Sequence, residues 1–141
     1  MPKPSVLFLC AHNAARSQMA EALLRKHAGD RFDVVSAGLE PTFVHPLTVR
    51  VMNEVGVDIS RQRAKGLDGI MGKMKFDFAI IVCERTQENC PQIYPFALQR
   101  VYWPFEDPAE AKGAEAEQLQ KFRGVRNQIE DKIRTWLTAH P

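Results

Sequence analysis

Cys10, Arg16 and Ser17 stand in the run Cys10-Ala11-His12-Asn13-Ala14-Ala15-Arg16-Ser17, with five residues between the cysteine and the arginine. A thiol, a guanidinium and a hydroxyl at this spacing can hold an oxyanion and attack it. In a short turn that closes onto a helix N-terminus, several backbone N–H groups point at one spot. Such a nest binds a tetrahedral anion, and the helix dipole adds to the attraction. Arg16 offers a planar, two-pronged donor for two of the anion's oxygens. Cys10 would lie at the bottom of this cup, where a positive field favours the thiolate, the form that attacks. Ser17 can donate a hydrogen bond to the sulfur. The bare spacing is weak, because Cys and Arg fall this far apart by chance in many chains. The competing reading is a buried Cys that ends a strand and an Arg in a first helical turn.

The flanking segments decide between them. Ser5 to Leu9 is short, apolar and bounded by Pro4, which predicts a buried strand. Met19, Ala20, Leu23 and Leu24 fall at helical spacing within 17–27. The eight residues therefore read as a strand-to-helix turn. Further along, Phe32 to Gly38 alternates toward a second strand, and Leu39 to Val44 reads as loop. Pro46 suits a first helical position, with Leu47, Val51, Met52 and Val55 on one face and a stop at Gly56. A short helix is expected over Leu67 to Met71. Phe76 to Val82 is almost continuously apolar, as in a parallel strand buried on both faces. Leu98 to Trp103 reads as the last strand. Leu119, Phe122, Val125, Ile129, Ile133, Trp136 and Leu137 mark one long amphipathic helix from Glu115 to Leu137. This alternation predicts an α/β fold with a parallel sheet in a single domain over 1–141. In such sheets ligands bind at the carboxyl ends of the strands, where Cys10 and Cys83 both fall.

The 141 residues suit one core, and 45% hydrophobic with 26% charged residues is ordinary for a globular chain. A net charge of +2 gives no footprint for nucleic acid or an anionic membrane. No apolar run approaches the ~20 residues of a membrane span, and the first apolar stretch is too short for a signal peptide. A cytoplasmic protein is expected. Three cysteines, an odd count, argue against a static disulfide framework and for thiol chemistry.

Cys83 and Cys90 lie seven residues apart in a polar stretch. In a continuous helix their Cα atoms would be about 10.5 Å apart at ~1.5 Å per residue. A disulfide needs about 4.4 to 6.8 Å, so a bond between them requires the segment to bend or unwind. Two unrelated thiols are the alternative. If Cys83 ends a strand beside that of Cys10, those two sulfurs can also meet, since neighbouring strands lie roughly 5 Å apart. Asp107-Pro108 has two compatible readings: a helix N-cap with Pro at the first position, or a carboxyl group placed over the cup as general acid. His12, inside the loop, reads as solvent-facing. His27, His45 and His140 show no partner pattern for a metal, and no zinc-type spacing is present.

Taken together, these motifs resemble the thioredoxin-coupled arsenate reductases of the low-molecular-weight protein tyrosine phosphatase superfamily. The resemblance rests on Cys10 to Ser17 followed by Gln18-Met19-Ala20-Glu21, then Ser36-Ala37-Gly38, Asp58-Ile59-Ser60, Val82-Cys83, Cys90-Pro91 and Phe105-Glu106-Asp107-Pro108. It spans nearly the whole chain, in order. It implies a four-stranded parallel sheet of flavodoxin-like order 2-1-3-4, flanked by helices. It also implies a reaction. Arsenate, with phosphate or sulfate as competing anions, binds the amides of Ala11 to Ala15 and Arg16. Cys10 attacks arsenic, Asp107 protonates the departing oxygen, and Ser17 supports the sulfur. Cys83 attacks Cys10 and releases arsenite, Cys90 attacks Cys83, and thioredoxin reduces the final disulfide. No bound cofactor is implied, and a monomer is expected.

Two departures from the family matter. Members often carry Gly in place of His12, and a position needing positive φ would strain a histidine. Members that bind potassium near the loop use side chains matching Asn13, Glu21 and Ser36 and a carboxylate at the position of Lys65. Here the ammonium of Lys65 stands in the ion's place, so no potassium or other metal site is expected. The alternative activity is that of a low-molecular-weight phosphatase acting on phosphotyrosine or small aryl phosphates. Such enzymes usually carry Pro where this chain has Gln18 and Tyr where it has Ala109, and have no use for Cys83 with Cys90. A non-enzymatic arsenite-binding protein is a further alternative. Related reductases draw on glutathione or mycothiol, but the cysteine pair favours thioredoxin because it can store the disulfide internally.

Overall fold

The computed structural model describes residues 3–70, 75–87 and 89–141. Its first strand, β1 (Ser5–Cys10), is buried from Val6 onward and stands near the centre of the sheet. It pairs in parallel with β2 (Asp33–Gly38) on one side and β3 (Phe76–Ile81) on the other. β4 (Ala97–Tyr102) pairs in parallel with β3 at the edge, which gives the order β2-β1-β3-β4. This is the expected 2-1-3-4 arrangement.

Three helices flank the sheet: α1 (Arg16–Ala28), α2 (Pro46–Asn53) and α3 (Glu115–Ala139). α3 packs on α1 and α2 through the apolar stripe that the sequence shows, with Leu119, Phe122, Val125, Ile129, Ile133 and Trp136 buried. One charged residue joins that stripe. Arg126 is buried, donating to the Val51 carbonyl at 2.8 Å and to Glu54 at 3.0 Å. It is tolerated there because its guanidinium meets the open C-terminal end of α2 and a carboxylate together. Arg123 and Arg126 hold the Glu54 carboxyl well below its ordinary value, at about 2.

Several expectations shift at their edges. The short helix after Gly66 is a single 3-10 turn, Leu67–Gly69, and Met71 lies outside the described residues. α2 ends at Asn53, short of Gly56; the chain turns through Val55 and Gly56, whose φ is 78°. In β4 the apolar Leu98 is 82% exposed, because an edge strand covers less than a central one. Trp103, one residue beyond β4, is buried instead, with its ring tilted against Phe8 and edge-on to Trp136.

The C-terminal end of the sheet holds the loop after β1. Gly38, the last residue of β2, lies against it so closely that a Cβ would come within 2.7 Å of the Asn13 nitrogen and 2.9 Å of the Ala11 oxygen. Both are backbone atoms and cannot swing away. Gly38→Ala is expected to destabilise the protein by about 1–3 kcal/mol through overpacking, read as a lower urea midpoint at unchanged slope.

Candidate active site

The turn between β1 and α1 is shaped by where its carbonyls go. The Leu39 N–H binds the Cys10 carbonyl at 3.2 Å, Glu40 that of Ala11 at 2.9 Å, Thr42 that of His12 at 3.2 Å, and His45 that of Ala14 at 3.0 Å. The Asn13 carbonyl receives the Gln18 side-chain amide at 3.1 Å. All peptides here are trans. A planar trans peptide points its C=O and the next N–H in opposite directions. Outward carbonyls at Cys10 to Ala14 therefore leave the N–H groups of Ala11, His12, Asn13, Ala14 and Ala15 facing the inside of the turn. The nest inferred from spacing is present, and the segment after β2 holds it open.

Cys10 is the free cysteine and is buried at the floor. Its sulfur receives the Asn13 N–H at 3.1 Å and lies 2.8 Å from Ser17 Oγ. Ser17 in turn accepts the Asn13 side-chain amide at 2.8 Å, which leaves the hydroxyl proton for the sulfur. Arg16, also buried, donates to the Phe105 carbonyl at 3.1 Å and lies 3.5 Å from Asp107 Oδ2.

Asn13 carries the positive backbone angle of the turn, φ 53°, and His12 does not. The strain anticipated at His12 is absent for this reason: the left-handed residue is an Asn, which tolerates that region. The Asn13 side chain donates to Ser17 and to Ser36 (2.9 Å) and accepts from Gln18 (2.8 Å) and the Lys65 N–H (2.7 Å). Behind it, Ser36 donates to Glu21 at 2.7 Å. Lys65 Nζ lies 3.3 Å from Glu21 Oε1, 3.5 Å from Ser36 Oγ and 3.2 Å from the Arg63 carbonyl. The buried Glu21 carboxylate is thus paired with two cations, the Lys65 ammonium at 3.3 Å and the Arg25 guanidinium at 3.0 Å. Among the described residues, no cluster of three or more His, Cys, Asp or Glu side chains is arranged to hold a metal.

Asp107 caps the 3-10 turn Pro108–Glu110, its Oδ1 accepting the Ala109 N–H at 3.0 Å, and it also lines the pocket that Cys10 and Arg16 line. Oδ2 also accepts the Gln87 side-chain amide at 3.3 Å. Cys83 and Cys90 are joined in a disulfide with Cα atoms 5.9 Å apart. The segment between them bends as that distance demands, with Asn89 at φ 66°. Both sulfur-bearing residues are buried. Asn89 donates to Glu40 at 3.1 Å, so the disulfide segment is fastened to Asp107 of the pocket through Gln87 and to the chain after β2 through Asn89.

The pocket above Cys10 has a volume of about 120 Å³, and His12, Phe43, His45 and Ala109 contribute to its wall. Sequence reasoning missed Phe43 and His45, since neither belongs to a motif. The one available signal for His45 was its place before Pro46, where a helix N-cap belongs. His12 turns its Nδ1 to the Glu40 carbonyl at 3.0 Å.

A parallel 2-1-3-4 sheet with a nest of inward amides, a buried free cysteine and a carboxylate lining the same pocket defines a class. The chain belongs to the low molecular weight phosphotyrosine protein phosphatase family, which matches residues 5–140. Within it, an arsenate reductase of Halalkalibacterium halodurans is 40% identical over 136 residues, 96% of each chain. A solved arsenate reductase in the phosphate binding state superposes with a TM-score of 0.81 at 30% identity, covering 96% of this chain and 98% of that one. A thioredoxin-dependent arsenate reductase of Corynebacterium glutamicum superposes with a TM-score of 0.62 at 31% identity, covering 95% of this chain and 63% of that one.

Asn13 makes a separable prediction. Asn13→Gly and Asn13→Ala both remove the buried side-chain bonds and lower stability. Ala is expected to cost about 1–2 kcal/mol more than Gly, because only glycine takes φ 53° without penalty. Urea unfolding of the pair checks it.

Proposed function

We propose that this chain reduces arsenate to arsenite in the cytoplasm through Cys10, Cys83 and Cys90, with thioredoxin as electron donor. The observation that carries the reading is a free cysteine on the floor of an oxyanion nest, with a disulfide at the end of the adjoining strand. The similarity to arsenate reductases supports the reaction, and the thioredoxin-dependent relative supports the donor.

The inward amides and Arg16 hold the anion's inner oxygens, and one oxygen points away from Cys10. The Cys10 thiolate forms a bond to arsenic as that oxygen departs. Asp107, on the opposite wall, supplies a proton so that it leaves as water. Ser17 and the Asn13 N–H keep the sulfur aimed. Cys83 then attacks the Cys10 sulfur. The electron pair of the sulfur–arsenic bond passes to arsenic, which leaves as arsenite, and a Cys10–Cys83 disulfide forms. Attack by Cys90 on Cys83 releases Cys10 as thiolate and yields the disulfide of this structure. Both of its cysteines are buried, so a thioredoxin thiolate reaches it only after the segment carrying Gln87 and Asn89 lets go of the rim. Two of the donor's electrons match the two that arsenic gains.

NADPH oxidation with thioredoxin and thioredoxin reductase tests the proposal. Arsenate-dependent consumption over many turnovers is expected. Arsenite formed only with glutathione and glutaredoxin would change the donor, and aryl phosphate hydrolysis without arsenite would move the assignment to a phosphatase. Cys90→Ser is expected to stop after one turnover with a Cys10–Cys83 disulfide. Tryptic peptide mass spectrometry that found no such link after arsenate would break the proposed order. With Lys65 beside Glu21, replacing sodium by potassium at equal ionic strength is expected to leave both turnover and Tm unchanged.

A further inference from the structure

His45 holds a position in the pocket that the relay does not use. Its Nδ1 accepts the Leu47 N–H at 3.1 Å, capping α2, and its ring lies 4.9 Å from that of Phe122. Its backbone N–H is the one that binds the Ala14 carbonyl of the nest at 3.0 Å. A backbone N–H can meet only a ring nitrogen with a free lone pair. Nδ1 is therefore unprotonated, and the single proton of the neutral ring sits on Nε2. Protonating the ring would turn Nδ1 into a donor facing a donor and break the helix cap. Burial also pushes the imidazole pKa down, against the nearby Asp107 carboxylate, which pulls it up. The ring is thus a neutral imidazole whose Nε2–H has no hydrogen-bond partner among the described residues.

That unsatisfied donor belongs to a residue lining the same pocket as Cys10, Arg16 and Asp107. His12, which also lines the pocket, is held in the opposite sense, with its Nδ1–H serving the Glu40 carbonyl. His45 is the imidazole of this wall whose free nitrogen carries the proton, because its Nδ1 accepts. The nest amides and Arg16 account for the inner oxygens, and Asp107 cannot bind an anion's oxygen without a proton of its own.

We propose that the His45 Nε2–H is a binding donor for the outward oxygen of the tetrahedral oxyanion, which makes His45 an affinity-determining residue of the pocket. This rests on the reading that the pocket takes arsenate, and phosphate as its inert analogue. The side chain thereby does two jobs with its two nitrogens: Nδ1 fixes the start of α2 and Nε2 serves the anion.

Inorganic phosphate is the probe, used on the disulfide form described here, which cannot turn over. In 15N-labelled wild-type protein, saturation with phosphate is expected to shift the His45 Nε2 resonance and slow exchange of its proton, while Nδ1 keeps the shift of a bonded acceptor. His45→Asn keeps a cap for Leu47, since Asn is a favoured N-cap, but loses the Nε2–H. Its phosphate Kd is expected to rise about tenfold, as for a lost hydrogen bond to a charged group, with little change in Tm. His45→Asp, which keeps the cap and adds a negative charge, is expected to weaken binding further. An unmoved His45 Nε2 resonance at saturation overturns the proposal, as does a His45→Asn Kd within about twofold of wild type. Should His45→Asn lose Tm, the wild-type resonance alone decides. Arsenate turnover with unchanged phosphate affinity in the variant would sink this inference and leave the reductase. Lost phosphate affinity without arsenate turnover in wild type would do the reverse.

Discussion

Asn13 sits in the left-handed region in the middle of the anion loop, and the rest of the site depends on it. Its backbone N–H fixes the Cys10 sulfur, and its side-chain amide bonds Ser17 on α1 and Ser36 on β2. Its side-chain oxygen draws in Gln18 and the backbone of Lys65. One residue thus ties the nucleophile, the helix that follows it, the neighbouring strand and a distant segment into one rigid unit. Every donor and acceptor of that buried amide is used. An amide left half-satisfied there would cost more than the loop could recover elsewhere.

The same economy governs the outer surface of the loop. Carbonyls that would repel an anion are turned outward and bonded by the chain from Leu39 to His45, and the opposed amides face in as a consequence. Gly38 permits that chain to leave β2 at the needed distance. The inward set of the loop's amides is therefore a property of two segments, the loop and the strand exit behind it. Arg16 lies beside Asp107 at the pocket, while behind Asn13 the buried Glu21 carboxylate is paired with both Lys65 and Arg25.

The disulfide segment links chemistry to motion. Gln87 bonds the carboxylate of Asp107 and Asn89 bonds Glu40, so in the oxidised state this segment leans on the pocket it serves. These contacts are single hydrogen bonds between side chains, each weak enough in net terms to exchange with water. Both cysteines are buried, and the described residues between them form turns and bends, with no helix or strand among them. Low local stability in a functional segment is what a relay that must expose and hide a disulfide requires.

Much of this was legible in the sequence because it is encoded locally. The strand, the loop and the first helix follow from an apolar run, a polar spacing and a helical period, and so do the stripe of α3 and the parallel sheet. That a bond between Cys83 and Cys90 would need a bend followed from helix rise against disulfide geometry, whereas the bond itself came from the structure. Residues such as His45 and Gln87 were illegible because each takes its meaning from a partner far away in the chain: Asp107 for Gln87, the Ala14 carbonyl and Phe122 for His45. Arg126 broke its stripe for the same reason, its partners being the end of α2. The sequence by itself thus determined the order of elements and the strand-to-helix turn that carries Cys10 and Arg16, both properties of short-range pattern. Only the tertiary structure decided which residue takes the left-handed angle, that Arg25 joins Lys65 on the buried Glu21 carboxylate and which imidazole nitrogen of His45 caps α2, because hydrogen bonds between distant segments select among states that local spacing leaves equivalent.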